Sequence, residues 1–186
     1  MRGSLIFLVS CLLSVIAGCS KPETDRSPTS NAPKLIDACS LLTSQEIEGI
    51  QGAPIKDNKP SANSQGGLTV SQCYFLLPIA ADSIVLTVTQ KADGSNSRDP
   101  KDSWEGIFHG DKEAESEGEE KERKSPPPEK IASLGDEAFW APRRFGGTIY
   151  VLHGNVYISL SVGGTGEQAT KLKKSKALAE IVLKRL

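Results

Sequence analysis

The strictest constraint on the fold comes from two segments near the carboxyl terminus in which apolar and polar residues alternate. They are residues 148–153 and 155–162, and Gly154 lies between them. Because successive strand residues point to opposite faces of a sheet, this pattern predicts a β-hairpin. The apolar face of the second segment consists of Val156, Ile158, Leu160 and Val162. The opposite face carries Tyr157, Ser159 and Ser161, so we expect a sheet with one covered side.

The rest of the fold is predicted from shorter patterns. Residues 70–77 and 83–90 predict a second hairpin, and the polar segment at residues 61–67 predicts a loop. Helices are expected at residues 43–51, 99–108 and 167–186, with Thr43 and Glu46 forming a capping box and Gly52 ending the first helix. Short connections imply antiparallel pairing. We therefore predict an α+β fold, with an antiparallel sheet built from two hairpins and the helices packed on one face.

Length and composition limit the classes of function. The chain has 186 residues, which is enough for one ordinary domain, and its formal net charge is -1. Proteins that bind nucleic acid usually carry a marked excess of basic residues, so we expect no nucleic-acid partner. Aromatic residues make up 5% of the chain, which means that the core must be mostly aliphatic.

The amino terminus has the layout of an export signal. A basic start at Arg2 is followed by an uncharged apolar run of about 15 residues, short of the roughly 20 that a membrane span requires. The run ends in Ile16, Ala17, Gly18 and Cys19, and there it resembles the lipobox of bacterial lipoproteins. This resemblance implies cleavage before Cys19, a diacylglycerol on its sulfur and an acyl chain on the new amino group. An ordinary signal peptide and an uncleaved anchor are the alternatives.

The pattern divides the chain into a signal, a tether and a domain. Residues 1–18 are predicted as the signal peptide, and residues 19–34 as the lipidated cysteine with a flexible tether rich in Pro, Ser and Thr. Residues 35–186 are predicted as a single α+β domain. Within it, residues 111–130 carry a run of charges and a group of prolines, so we expect a disordered insertion there.

Two short motifs of the domain resemble an uncharacterised family of bacterial cell-envelope lipoproteins. The first is the Cys-Ser-Leu-Leu-Thr sequence at residues 39–43, which in that family leads into a short helix. The second is the Leu-Gly-Asp-Glu-Ala sequence at residues 134–138, which in that family precedes the last hairpin. The resemblance implies an envelope location and carries over no activity, and the charged insertion departs from the family pattern.

The cysteines indicate a disulfide. Cys11 would leave with the signal peptide and Cys19 would carry lipid, so Cys39 and Cys73 remain as a pair in an oxidising compartment. We predict that they are bonded to each other. Free thiols and a redox role are the alternatives, although redox cysteines usually form a Cys-x-x-Cys motif. A zinc site typically needs four ligands, and His109 and His153 are the two histidines of the chain, so we expect no metal and no cofactor.

The sequence assigns no catalytic residue. His109 and His153 are the usual general bases of this chain, and no nucleophile motif accompanies them. The best candidate for contact with a partner is a loop that contains Trp140, Arg143 and Arg144, because Trp and Arg are frequent at binding hot spots. The alternative is that Trp140 fills the core and the arginines are solvated.

These observations predict an exported protein of the cell envelope that displays a non-enzymatic binding or interaction domain. Lipid at Cys19 would anchor it to the cell membrane or the outer membrane, facing away from the cytoplasm, and its further partner would be an envelope protein or a glycan. An enzyme or an accessory subunit acting on envelope components is one alternative, and a structural spacer is another. Converging His, Asp or Glu side chains in a deep pocket would favour the enzyme, whereas a flat sheet face would favour the binding domain.

Overall fold

The local signals of the sequence place the helices well. The computed structural model describes residues 34–110, 126–143 and 146–186. In these ranges the chain forms α1 (Ser44–Gln51), α2 (Pro100–Phe108) and α3 (Gln168–Leu183). Helix α1 begins at the capping box of Thr43 and Glu46, and it ends at Gly52, whose φ of 84° is left-handed. Glycine adopts that conformation without steric cost, so the predicted start and end of this helix are confirmed.

Seven antiparallel strands form one sheet in the described part of the chain. In chain order they are β1 (Asp57–Gln65), β2 (Leu68–Leu76), β3 (Ile84–Lys91), β4 (Glu129–Lys130), β5 (Glu137–Arg143), β6 (Gly146–His153) and β7 (Val156–Val162). Their order across the sheet is β1-β2-β3-β7-β6-β5-β4. Two meanders therefore meet where β3 pairs with β7, and the predicted α+β class with an antiparallel sheet is confirmed.

One face of the sheet, here called the inner face, packs against α1 and α3 and holds most of the core. It carries the fully buried alternate residues of the two central strands, which include Leu86, Val88, Ile158 and Leu160. Helix α3 buries a stripe with helical spacing, which consists of Lys171, Ser175, Leu178, Ala179 and Val182. The core is mostly aliphatic, as the composition required.

The opposite face, here called the outer face, is covered by α2 at one end. Trp104 of α2 is fully buried in a cluster with Phe139 and Leu152, which alternate with inner-face residues along their strands. The expectation that the helices share one face therefore holds for α1 and α3. Helix α2 packs on the other side of the sheet because its aromatic residues contact aromatic residues there.

Three strands lie where the sequence predicted irregular structure, and one of them is β5, which includes Trp140 and Arg143 of the predicted binding loop. Strand β1 includes residues 61–65 of the predicted loop, and all of its residues are exposed. Because neither side of this edge strand is buried, its sequence shows no alternation. Strand β4 lies inside the predicted insertion, where Lys130 pairs with Phe139 and Glu129 with Trp140. Residues 111–125 of that insertion lie outside the described residues.

The described chain is held in place from its first residues. The side-chain amide of Gln90, which is buried near the end of β3, donates to the carbonyl oxygen of Lys34 at 3.2 Å and accepts from the Ile36 amide at 2.8 Å. The predicted signal peptide, Cys19 and the tether up to residue 33 lie outside the described residues. Among the residues that are described, no helix has both the length and the apolar character to cross a membrane.

Candidate functional site

Cys39 and Cys73 form a disulfide, which confirms the prediction from the cysteine count. Their Cα atoms are 5.0 Å apart and 34 residues separate them in the chain. Cys39 lies in a short 3-10 turn whose start is capped by Asp37, and Cys73 is fully buried in β2. The bond therefore ties the first turn of the domain to the sheet. A disulfide indicates an oxidising, exported environment.

Trp140 is a core residue and not part of a binding loop. It lies within β5, is 3% exposed and belongs to the core cluster of the inner face. Its strand register places it beside Ile149, and Gly147 leaves room for the indole ring, which a Cβ at that position would overlap. Of the two alternatives for Trp140, the structure therefore shows the one in which it fills the core.

Arg143 is exposed at the end of β5, and Arg144 lies outside the described residues. The backbone at Arg143 and at Gly146 is fixed to α3 by one side chain. Gln168 donates from Nε2 to the carbonyl oxygen of Arg143 at 2.6 Å and to that of Gly146 at 2.7 Å. The strand ends are therefore held by a helix, whereas the Arg143 side chain faces solvent and stays available for contact.

A polar cluster that the sequence analysis did not assign lies where α2 meets the outer face. Its centre is Glu137, the first residue of β5. Oε2 of Glu137 accepts a hydrogen bond from Trp104 Nε1 at 2.8 Å and lies 2.7 Å from Nε2 of His109. Oε1 of the same carboxylate accepts from Nζ of Lys130 at 2.7 Å. One carboxylate thus joins α2, β4 and β5.

Hydrogen bonds from its neighbours keep Glu137 ionised. The bond from Lys130 is the main cause, followed by those from Trp104 and His109, and together they lower the pKa of Glu137 from 4.5 to about 2 although burial opposes this. His109 precedes residues 111–125 and Lys130 follows them. Both flanks of the charged segment are therefore fixed to the same side chain.

Aromatic rings surround this cluster on the outer face. Phe108 stacks on Phe139 with ring centroids 4.5 Å apart and 5° between the planes. Trp104 lies 4.4 Å from Phe108 and 5.8 Å from Tyr157, centroid to centroid. Such pairs stabilise by about 0.5–1.5 kcal/mol each beyond their burial. Helix α2 is therefore fixed to the sheet by ring packing as well as by Glu137.

The Leu-Gly-Asp-Glu-Ala motif at residues 134–138 positions the cluster. Gly135 has a φ of 60°, and a Cβ there would overlap the carbonyl oxygen of Leu152. Oδ2 of Asp136 accepts from the Gly154 amide at 2.7 Å and so holds the turn between β6 and β7. The apolar ends of the motif are both buried in the core, and they are Leu134 and Ala138. Each polar or glycine position of the motif thus has a structural role: Gly135 allows the backbone conformation, Asp136 holds the turn, and Glu137 forms the polar cluster.

Beyond α2 the outer face is lined mainly by uncharged polar side chains, which form two rows across the strands that are here called the hydroxyl rows. The strand register places one residue from each of five neighbouring strands in the first row, which is Tyr150, Ser159, Thr87, Gln72 and Ser61. The second row consists of Thr148, Ser161, the apolar Val85 and Tyr74, and it ends on β1 at Lys59. Side-chain hydrogen bonds join Gln72 to Thr87 at 3.1 Å and Thr148 to Ser161 at 2.7 Å.

An open depression lies between the start of α1 and the start of β1. Its volume is about 520 Å³, and its lining includes Thr43, Ser44 and Lys56. Thr43 is engaged in the helix cap, and the Ser44 hydroxyl accepts from the Ile55 amide at 3.2 Å. These polar groups stabilise local backbone. Within residues 34–110, 126–143 and 146–186, no group of three or more His, Cys, Asp or Glu side chains is arranged to hold a metal ion.

Comparisons with known proteins assign no family to the chain. No protein-family model matches it, and neither does any curated protein or solved structure. The two resemblances to lipoproteins therefore remain expectations drawn from short sequence motifs.

Proposed function

We propose that this protein is a lipid-anchored component of the bacterial cell envelope and that its domain binds another envelope molecule through the outer face. The observation that carries the exported location is the disulfide between Cys39 and Cys73, because such bonds persist in oxidising compartments. The lipobox-like sequence ending at Cys19 supports the anchor. Two or more acyl chains would hold the protein durably, whereas a single chain binds membranes reversibly.

The outer face supports the binding role. The side chains of the hydroxyl rows are half-exposed or exposed, and among the described residues only α2 packs on this face. Helix α2 and the Glu137 cluster border the rows at one end. A surface carried on paired strands is rigid, which favours a defined contact with a partner.

The position of the tether supports display of this surface. The described chain starts at Lys34, which Gln90 holds near the end of β3. Arg143 lies at the opposite end of the sheet, because β5 ends and β6 begins beyond the level at which Ile84 of β3 pairs with Val162. These two ends are separated by the length of a strand, about 25 Å. A tether to the membrane would therefore join the domain at the end of the sheet opposite Arg143.

Metabolic labelling tests the anchor. Cells that produce the protein are fed an alkyne analogue of palmitate, and the protein is isolated and checked for label. We expect label on the wild type and on Cys11→Ala, and none on Cys19→Ala. A labelled Cys19→Ala protein, or an unlabelled wild type, would overturn the anchor.

Site-specific crosslinking tests the binding surface. A photoreactive residue is placed at Ser159 on the outer face, and as a matched control at Glu180, which is exposed on α3. We expect envelope adducts from position 159 and not from position 180. Identical adducts from both positions, or none from position 159, would remove the outer face from consideration.

An enzyme or an accessory subunit acting on envelope components is the second candidate. It is favoured by the contact of His109 with Glu137, since an imidazole oriented by a carboxylate is an arrangement that general bases use. The His109 side chain is 41% exposed and accessible to a substrate. Incubation with envelope fragments, followed by mass spectrometry of released products, distinguishes the two. Products made by the wild type and lost in His109→Gln would favour the enzyme.

A further inference from the structure

We propose that the hydroxyl rows of the outer face bind an uncharged, β-linked polysaccharide chain that lies across the strands. This inference rests on the proposed function, because it names the ligand of the same face. It is carried by three properties of the rows: the absence of charge from the first row, their spacing and their free hydrogen-bonding groups.

The rows match a ligand that is rich in hydroxyl groups and has no charge. The first row contains no charged side chain, and Lys59 ends the second row on β1 beside Tyr74. At the other rim, Lys130 lies beyond Phe139 in the register of the first row. Ser, Thr and Tyr hydroxyls both donate and accept hydrogen bonds, as sugar hydroxyls do. Nucleic acids and acidic lipid surfaces are instead held by clusters of Lys and Arg, which these rows lack.

The spacing of the rows suits a linear chain of sugars. Neighbouring strands are about 4.8 Å apart, so the first row extends for about 19 Å from β6 to β1. A β-1,4-linked pyranose chain advances by a similar distance per sugar, and each sugar would therefore meet a new strand. A long, flat arrangement of this kind fits a polymer, whereas small molecules are usually held in concave pockets.

Several polar groups of the rows are free to bind a ligand. Among the described residues, the hydroxyls of Tyr74, Tyr150 and Ser159 have no hydrogen-bond partner. The Tyr150 ring is held edge-on against Phe108, with centroids 5.3 Å apart and 64° between the planes. Its orientation is therefore fixed, and the half-exposed ring offers an apolar surface to the C–H face of a sugar at the α2 end of the first row.

Titration with defined oligosaccharides tests this proposal. The exported protein, purified with its disulfide intact, is titrated with β-1,4-linked N-acetylglucosamine oligomers of increasing length, and binding is measured by calorimetry. Because the first row crosses five strands, we expect affinity to rise with length up to about five sugars and then to level off. Thr87→Val keeps the shape of the side chain but removes its hydroxyl, both as a donor to the ligand and as the acceptor that orients Gln72 within the row, and it should weaken binding about two- to tenfold.

The matched control is Thr170→Val, the same substitution at an exposed position of α3. It should leave affinity unchanged, and both variants should keep the thermal midpoint of the wild type. Absence of binding to every oligomer, or equal affinity of the wild type and Thr87→Val, would overturn the polysaccharide proposal. Palmitate label at Cys19 and adducts from position 159 would then still support the proposed function, so the two failures are distinguishable.

Discussion

Trp104 donates a hydrogen bond of 2.8 Å from Nε1 to Oε2 of Glu137, and this bond joins α2 to the first residue of β5. The indole is fully buried, so its N–H group requires a partner inside the protein. The carboxylate that supplies the partner also binds Lys130. Attachment of α2 to the outer face therefore depends on one charged side chain in addition to ring packing.

Glu137→Gln should lower the free energy of unfolding by about 1–3 kcal/mol at pH 7, because hydrogen bonds to a charged group become bonds to a neutral one. The folded protein lowers the pKa of Glu137 from 4.5 to about 2. The stabilisation by this carboxylate is therefore complete above pH 4.5 and is lost as the pH falls towards 2. Urea unfolding at pH 7 and at pH 3 measures this stabilisation. The difference in the free energy of unfolding between Glu137→Gln and the wild type should be smaller at pH 3 than at pH 7.

The control for this prediction is Glu129→Gln, which makes the same change in charge at an exposed residue of β4. It should change stability by less than about 0.5 kcal/mol at both pH values. If the difference in the free energy of unfolding between Glu137→Gln and the wild type were the same at both pH values, the stabilisation would not come from the ionised Glu137 carboxylate.

Removing the disulfide by the double substitution Cys39→Ser and Cys73→Ser should lower the free energy of unfolding by about 4 kcal/mol. The bond closes a loop over a sequence separation of 34, and opening it restores chain entropy to the unfolded state. Urea unfolding of the variant and of the chemically reduced wild type should give the same loss. Equal stability of oxidised and reduced wild type would show that the bond contributes nothing.

Gly147→Ala should destabilise the protein by about 1–3 kcal/mol, because the added methyl group would overlap the indole ring of Trp140. Gly49→Ala is the matched control: it lies on α1, and nothing lies within 4 Å of the added Cβ. Because Ala favours a helix over Gly by about 1 kcal/mol, this variant should be more stable than the wild type. Thermal unfolding measures the loss of stability expected for Gly147→Ala and the gain expected for Gly49→Ala. If Gly147→Ala left the stability unchanged, the Trp140 ring would not lie against Gly147.

Ser175→Ala should raise the free energy of unfolding by about 1 kcal/mol. Its hydroxyl is fully buried on α3 and has no hydrogen-bond partner among the described residues, so its removal relieves a desolvation cost. Ser71→Ala should act in the opposite direction, because the buried Ser71 hydroxyl accepts from the Ala38 amide at 3.0 Å. Urea unfolding of both variants tests the pair, and a loss of stability in Ser175→Ala would reveal a partner for its hydroxyl.

Predictions from the sequence succeeded where the signal is local. The capping box of Thr43 and Glu46 fixes the start of α1 within one turn, and the alternation in β7 follows from burial of one face. Strand β1 gave no such signal, since it is exposed on both sides. Its place in the sheet depends on pairing with β2, which is a tertiary contact.

The candidate sites were harder to predict because they are assembled from distant residues. Phe139 and Trp140 are neighbouring apolar residues in the sequence. Only the strand register shows that Trp140 faces the inner-face core, whereas Phe139 faces α2. The three side chains that bind Glu137 lie 33, 28 and 7 residues from it in the chain, and they are Trp104, His109 and Lys130. No short sequence motif predicts contacts over such separations. The disulfide was predictable because the cysteine count left one pair.

The disulfide also determines how the domain would respond to a pulling force at its amino-terminal end. Tension would first detach Lys34 and Ile36 from Gln90 and would then reach Cys39. From there the load passes through the covalent bond into β2, so the chain between Cys39 and Cys73, which includes α1 and β1, is bypassed. Further extension requires β2 to shear away from its neighbours β1 and β3. The disulfide therefore makes the domain resist unravelling from its amino-terminal end.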